Sequence, residues 1–208
     1  MSTATPPPDR RERLREQTRR EAKDIALGQL ARTGPSGISV NAIAKAMGMT
    51  GPALYRYFAN RDELLTALVA DAYTDLAGAL SHAVAVTPAT DKDPAAGLRA
   101  FAHAWRGWAR EHPDRYLLIY GTPIPGYTAP PATTVIAQRM MQTALEACAG
   151  LDPAEATLTA ERPPTHSRAL RGWTRLHGLV SLEIEGHFNG MDLDVDQLFA
   201  DEVDALAD

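Results

Sequence analysis

Apolar side chains along this chain recur at helical spacing from near its start to its end, and no stretch shows sustained two-residue alternation rich in Val, Ile and Thr. That pattern limits the fold to helices packed on helices. The reading is an all-α protein of about nine helices. The first spans about Asp9 to Arg32 with the stripe Ala22, Ile25, Ala26, Gln29 and Leu30, and Gly34-Pro35-Ser36-Gly37 ends it. Ser39 caps a short second helix facing inward through Val40, Ile43, Ala44 and Met47, and Thr50 caps a third. Asn60 and Glu63, at capping-box spacing, open a long fourth helix with the stripe Leu64, Leu68, Ala72, Leu76, Leu80 and Ala83. Asp93-Pro94 opens a fifth, His112-Pro113 a sixth, and a proline-rich loop from Gly121 to Pro131 precedes a seventh over Thr133–Ala149. Gly150 to Thr165 reads as loop, Ser167 to Phe188 as the eighth helix, and Asp194 starts the ninth.

Ala44, Gly48 and Leu54 stand at i, i+4 and i+10. A small residue lets two short helices cross closely, glycine turns the chain where φ is positive, and an aliphatic residue plugs the gap. This is helix-turn-helix spacing. With Leu54 and Phe58 turned inward, the third helix presents Gly51, Pro52, Ala53, Tyr55, Arg56 and Tyr57 outward, and Lys45 and Arg61 flank it. Tyrosine and arginine reach phosphates and base edges, while small residues let a helix sit deep in the major groove. Charge agrees. The whole chain of 208 residues carries a formal −5, yet residues 1–61 hold eleven Lys/Arg against five Asp/Glu, and the remainder ten against twenty-one. A cationic module, with Arg10, Arg11, Arg13, Arg15, Arg19 and Arg20 in its first helix, precedes an acidic body. The organisation expected is a disordered arm over 1–8, a helix-turn-helix domain over 9–60, and a helical bundle over 61–208.

The run Gly48-Met49-Thr50-Gly51-Pro52-Ala53-Leu54-Tyr55-Arg56-Tyr57-Phe58, with Asn60-Arg61-Asp62-Glu63-Leu64-Leu65 behind it, resembles the DNA-binding signature of TetR-type transcriptional regulators. The likeness is close over about residues 20–68. Further on, Trp105 to Tyr120 and Trp173-Thr174-Arg175-Leu176-His177-Gly178 are similar to the TetR subgroup whose C-terminal domain is named for its Trp, His and Gly. The resemblance implies that Ser39, Thr50 and Tyr55 contact phosphates. It also implies that Pro52, Ala53, Arg56 and Tyr57 face the groove, and that Arg61 holds the backbone. Gly51 departs from the pattern, because many members carry a polar base-reading side chain there.

The resemblance further implies a homodimer that sets two recognition helices about one DNA turn apart, roughly 34–36 Å or a multiple, on a palindromic operator. Trp173, Leu176, Gly178, Val180 and Ile184, with Leu198 and Phe199 of the last helix, are the expected partner-facing residues, although the same stripe would serve as intramolecular core. Phe101, Trp105, Trp108, Tyr116 and Tyr120 crowd five aromatics into twenty residues. Together with His103, Met140, Thr143, Trp173 and His177 they are the expected lining of an effector cavity for an apolar or aromatic small molecule, although singly each reads as core. The expected mechanism is repression relieved by that effector through the long fourth helix, with a coupling of roughly 1–3 kcal/mol.

Other classes fare worse. The single Cys148 allows no disulfide within the chain, no apolar run approaches the roughly 18–20 residues of a membrane span, and no secretory signal is visible, so a cytoplasmic protein without membrane contact is expected. His82, His103, His112, His166, His177 and His187 are scattered, and Glu183 with His187 is too small a set for a metal site. Neither a phosphate loop nor a Gly-x-Ser-x-Gly elbow occurs. No catalysis, metal or cofactor is expected. The alternative is a helical small-molecule binding protein with no DNA-binding role.

Overall fold

The computed structural model of the protein describes residues 9–87, 90, 92–149, 151 and 168–208. The arm at 1–8, His166 and nearly all of the loop from Gly150 to Thr165 lie outside these residues. Among the described residues there are nine α-helices and no strand: α1 (Arg10–Thr33), α2 (Val40–Ala46), α3 (Gly51–Leu54), α4 (Arg61–Val86), α5 (Ala96–Glu111), α6 (Pro113–Tyr120), α7 (Pro131–Cys148), α8 (Arg168–Ile184) and α9 (Val195–Ala207).

The chain divides into two compact units. The first holds the described residues up to Val69 together with Pro123–Ala129, and the second holds Ala70–Thr122 and Pro130–Asp208. The packing border therefore falls inside α4, eight residues beyond the change of charge at Arg61. The reason is visible in the core: Leu64, Leu65 and Leu68 are as fully buried as Ile43, Leu54 and Phe58. The start of α4 thus behaves as one wall of the small unit.

Local chemistry explains most boundaries. Asp9 caps α1, accepting from Glu12 N at 2.7 Å. Ser39 Oγ caps α2 from Ala42 N at 3.3 Å, and the Ser39 N–H donates to Gln29 Oε1 at 2.9 Å, which explains a polar residue in the apolar stripe of α1. Gly48 sits at φ 67°, where other residues would be strained. Asn60 Oδ1 accepts from Glu63 N at 2.8 Å, while Glu63 reaches back to Ala59 N at 2.6 Å, closing the expected box one residue upstream of the cap. Two expectations shift. α5 begins at Ala96 rather than Asp93, because Asp93 Oδ1 is engaged with the N–H of Ala95, 3.2 Å away, and with Arg99. α8 stops at Ile184 rather than Phe188, because Gly186 adopts φ 77° and the His187 N–H donates to Leu182 O at 2.9 Å, the pattern of a left-handed helix stop.

The second unit packs α5 at the centre of its core. Leu98, Phe101, Trp105 and Trp108 meet Leu76 and Leu80 of α4, Met140 and Ala144 of α7, Leu176 and Val180 of α8, and Phe199 and Val203 of α9. A Cβ on Gly97 would approach Ala147 O to 3.1 Å, so this glycine permits the close α5–α7 crossing. At one edge of the core, buried Arg106 forks onto Glu183 at 2.7 and 2.8 Å and reaches Asp196 at 2.6 Å, tying α5 to α8 and to the start of α9. The hydrogen bonds to Glu183 hold its guanidinium above its usual pKa against the opposing effect of burial.

Candidate nucleic-acid interface and ligand cavity

α3 is a single turn whose hydrogen-bonding continues to Phe58, and it is anchored by two side chains. Leu54 and Phe58 are fully buried, which leaves Pro52, Tyr55 and Arg56 exposed, with Tyr55 at 42% of its free surface. Thr50 occupies the N-cap position but its hydroxyl makes no capping bond. Lys45 stands exposed in the last turn of α2.

The arginines do not act alike. Arg11 and Arg15 of α1 line, with Asp9, Glu12, Leu14, Met49, Ala53, Arg56 and Tyr57, an open groove of about 620 Å³ along the recognition turn, three guanidinium groups against two carboxylates. Arg19 turns inward instead. Its guanidinium lies 4.2 Å from the centre of the Phe58 ring, donates to Tyr57 O, and stands 3.6 Å from Glu63. Arg61 is half-buried and donates through Nε to Ile38 O at 3.2 Å and through Nη2 to Pro35 O at 2.8 Å. Both arginines thus clamp the chain on either side of the α2–α3 pair.

In the second unit a cavity of about 360 Å³ is lined by Tyr73, Tyr120, Thr134, Ala137, Gln138, Met140, Met141 and Trp173. Its wall carries no charged side chain, and its volume lies within the range of small-molecule sites. Behind the wall stands an aromatic stack. Trp105 lies on Tyr120 with ring centres 5.9 Å apart, and Trp173 lies flat on His177 at 5.2 Å. The Tyr116 hydroxyl is 3.0 Å from His177 Nδ1 and 2.9 Å from Ser181 Oγ. Burial pushes the Tyr116 phenol up to about 12 and lowers the His177 pKa. The phenol therefore keeps its proton beside a neutral imidazole, and the Tyr116 hydroxyl, His177 Nδ1 and Ser181 Oγ share one hydrogen-bonded chain. The Trp173 Nε1 is buried with no hydrogen-bond partner.

Comparison with known proteins reaches both units. Residues 24–68 match the family described as bacterial regulatory proteins, tetR family, and residues 98–206 match the tetracyclin repressor-like C-terminal domain. This chain belongs to the TetR family. The HTH-type transcriptional regulator Rv1816 of Mycobacterium tuberculosis is 43% identical over 148 residues, which cover 69% of this chain and 62% of that protein. The chain thus spans less than two thirds of the length of that relative. The crystal structure of the regulatory protein SCO4313 is 46% identical with a TM-score of 0.82, covering 95% of this chain and 98% of that one. A TetR variant from Acinetobacter baumannii AYE, solved in complex with minocycline, shares the fold at 20% identity and a TM-score of 0.53, over 89% of this chain and 92% of that one.

Within this TetR-family chain the expected residues divide sharply. Of the expected cavity lining, Tyr120, Met140 and Trp173 reach the cavity wall. Trp105, Tyr116 and His177 stand in the stack behind it, and Phe101 packs on Trp105. Trp108 is turned to Asp75, donating from Nε1 at 3.0 Å, and exposed His103 packs against Phe199. Thr143 bonds Ser81 and the carbonyl of Arg139. Phe101, His103, Trp105, Trp108, Tyr116, Thr143 and His177 thus do not line this cavity. Tyr73, Thr134, Ala137, Gln138 and Met141 were missed, and only the Met140-Met141 pair at the edge of a buried helical stripe hinted at them. The partner-facing set divides as well. Leu176, Val180 and Phe199 retain 2%, 0% and 1% exposure, so their own core holds them. The apolar or small residues that α8 and α9 expose include Gly178, whose Cβ position meets open space, Leu182 at 45% and Leu198 at 36%, while Trp173 and Ile184 are half-buried. No helix among the described residues is long and apolar enough to cross a membrane.

Proposed function

We propose that this chain is a ligand-responsive transcriptional repressor of the cytoplasm that binds a palindromic operator as a homodimer and leaves it when a small molecule occupies the second unit. The observation that carries the reading is the exposed Tyr55–Arg56 side of α3, held from behind by buried Leu54 and Phe58. In this reading Arg56, with Tyr57 and the small residues Gly51, Pro52 and Ala53, meets base edges. Tyr55, Ser39, Lys45 and Thr50 meet phosphates. Arg61 contributes by holding the α1–α2 loop through Pro35 and Ile38, with its remaining N–H groups left to the backbone. Arg11 and Arg15 add positive field beside the recognition turn.

The second copy would seat on the side of α8 and α9 where Gly178, Leu182 and Leu198 face outward. The effector would be uncharged and largely apolar or aromatic, matching a wall of tyrosine, tryptophan and methionine without a charge. An acceptor on it would satisfy the unpaired Trp173 N–H. In the same reading the C-terminal unit belongs to the subgroup named for its Trp, His and Gly, carried here by Trp173, His177 and Gly178.

Duplexes selected from a random pool test the reading. The enriched site is palindromic and binds in the nanomolar range, with affinity falling steeply as salt rises. Arg56→Ala relaxes base preference by about 1–3 kcal/mol at one position of each half-site, whereas Tyr55→Phe weakens all sequences by a common factor. Unchanged operator binding in both variants would sink the site assignment.

A further inference from the structure

Gly51 opens the recognition turn, yet its backbone does not require glycine: it is absent from the positive-φ glycines, which are Gly34, Gly48, Gly126, Gly186 and Gly190. Space explains it instead. A Cβ built at position 51 would lie 2.7 Å from Oδ1 of Asn41, the second residue of α2. The Asn41 carboxamide thus lies over the open side of Gly51, and a longer residue at 51 would meet it and turn it aside. Asn41 is exposed, and its side chain makes no hydrogen bond to another described residue. A carboxamide carries one acceptor and one donor in a plane, the pair that matches the N6 amino group and N7 of adenine in the major groove.

We propose that Asn41 is a specificity-determining residue that reaches over Gly51 to read an adenine in each half-site, supplying from α2 the base contact that the glycine of α3 cannot make. The inference rests on the DNA-binding reading above. It assigns Gly51 and Asn41 one joint function: the glycine clears the path and the asparagine uses it. Aspartate separates this role from a merely structural one. It keeps the acceptor oxygen that could prop or cap the start of α3, but it has no donor for N7 and repels the DNA.

The experiment selects duplexes from a random pool with the wild-type chain, Asn41→Ala and Asn41→Asp, each checked for an unchanged melting temperature. The wild type enriches a palindrome containing one A·T pair per half-site that both variants lose, with discrimination at that pair dropping roughly ten-fold or more. The remaining positions of the site stay as in the wild type. A wild-type operator recovered unchanged by Asn41→Ala overturns the inference while leaving the DNA-binding reading intact. So does an Asn41→Asp variant that keeps the full wild-type preference, since that outcome assigns Asn41 to propping α3. A wild type that enriches no sequence overturns the DNA-binding reading itself, and this inference with it.

Discussion

The two units use the same residue types in opposite directions. In the first, Tyr55 and Arg56 stand in solvent because α3 is one turn long and needs only Leu54 and Phe58 to anchor it. In the second, Trp105, Tyr116 and Tyr120 are turned inward, because α5 runs through the core of that unit and α6 packs its tyrosines against it. Burial even lifts the Tyr120 phenol beyond the range in which it could ionise at ordinary pH. A small unit with an aliphatic core frees its polar aromatics for a partner. A large unit with an aromatic core opens a cavity where that packing stops short, between α4, α6, α7 and α8.

The sharpest way to break this comparison is to remove the anchor. Phe58→Ala deletes a fully buried ring and the surface on which Arg19 rests. It should destabilise the first unit by about 4 kcal/mol and abolish operator binding with it. Denaturant unfolding, followed alongside duplex binding, checks both. A variant of wild-type stability would mean that the exposed face of α3 is held by something other than its buried back.

This contrast also sets what the sequence could tell. The first unit was legible almost to the residue, because its elements are short, its caps are local, and Gly48 and Leu54 act at fixed offsets. Helix periodicity marked the second unit's core equally well, since a buried stripe such as Leu76, Leu80, Trp105 and Val180 has a period. The cavity wall did not show, because Tyr73, Ala137 and Gln138 lie on helix flanks, and where four flanks meet is a matter of three-dimensional crossing. The role of Leu176 and Val180 was ambiguous for a related reason: an apolar stripe records that it is covered, not by which chain. Nor could composition separate the arginine that rests on Phe58 from those beside the groove. Arg19 is set apart only by the tertiary position of Phe58 and Glu63.

A somewhat smaller effect is expected where the second unit uses charge as an internal tie. Arg106→Ala leaves Glu183, only 16% exposed, without its bidentate partner. About 3 kcal/mol should be lost, read by thermal unfolding. Arg19→Ala removes a more exposed tie, with its side chain at 24% and Glu63 at 44%, and should cost about 1 kcal/mol of stability while lowering operator affinity. Equal losses at the two sites would show that depth of burial does not distinguish these arginines.

The smallest expected effect separates the units by pH. No histidine precedes His82, so the first unit up to Val69 has none to titrate between pH 5 and 7. In the second, burial lowers the His177 pKa from its ordinary value of 6.5. Below about pH 6.5 the unfolded chain binds a proton that the folded imidazole, hydrogen-bonded to Tyr116 and stacked on Trp173, resists. The stabilisation tied to neutral His177 is therefore complete above pH 6.5 and is lost as pH falls toward the depressed folded value. Amide hydrogen exchange, corrected for its intrinsic pH dependence, should show protection in α6 and α8 declining from pH 7 to 5 while protection in α1 and α2 holds. His177→Gln should flatten the decline in α6 and α8. A slope that survives the substitution, or one that appears equally in α1, would remove His177 as its source and with it this distinction between the units.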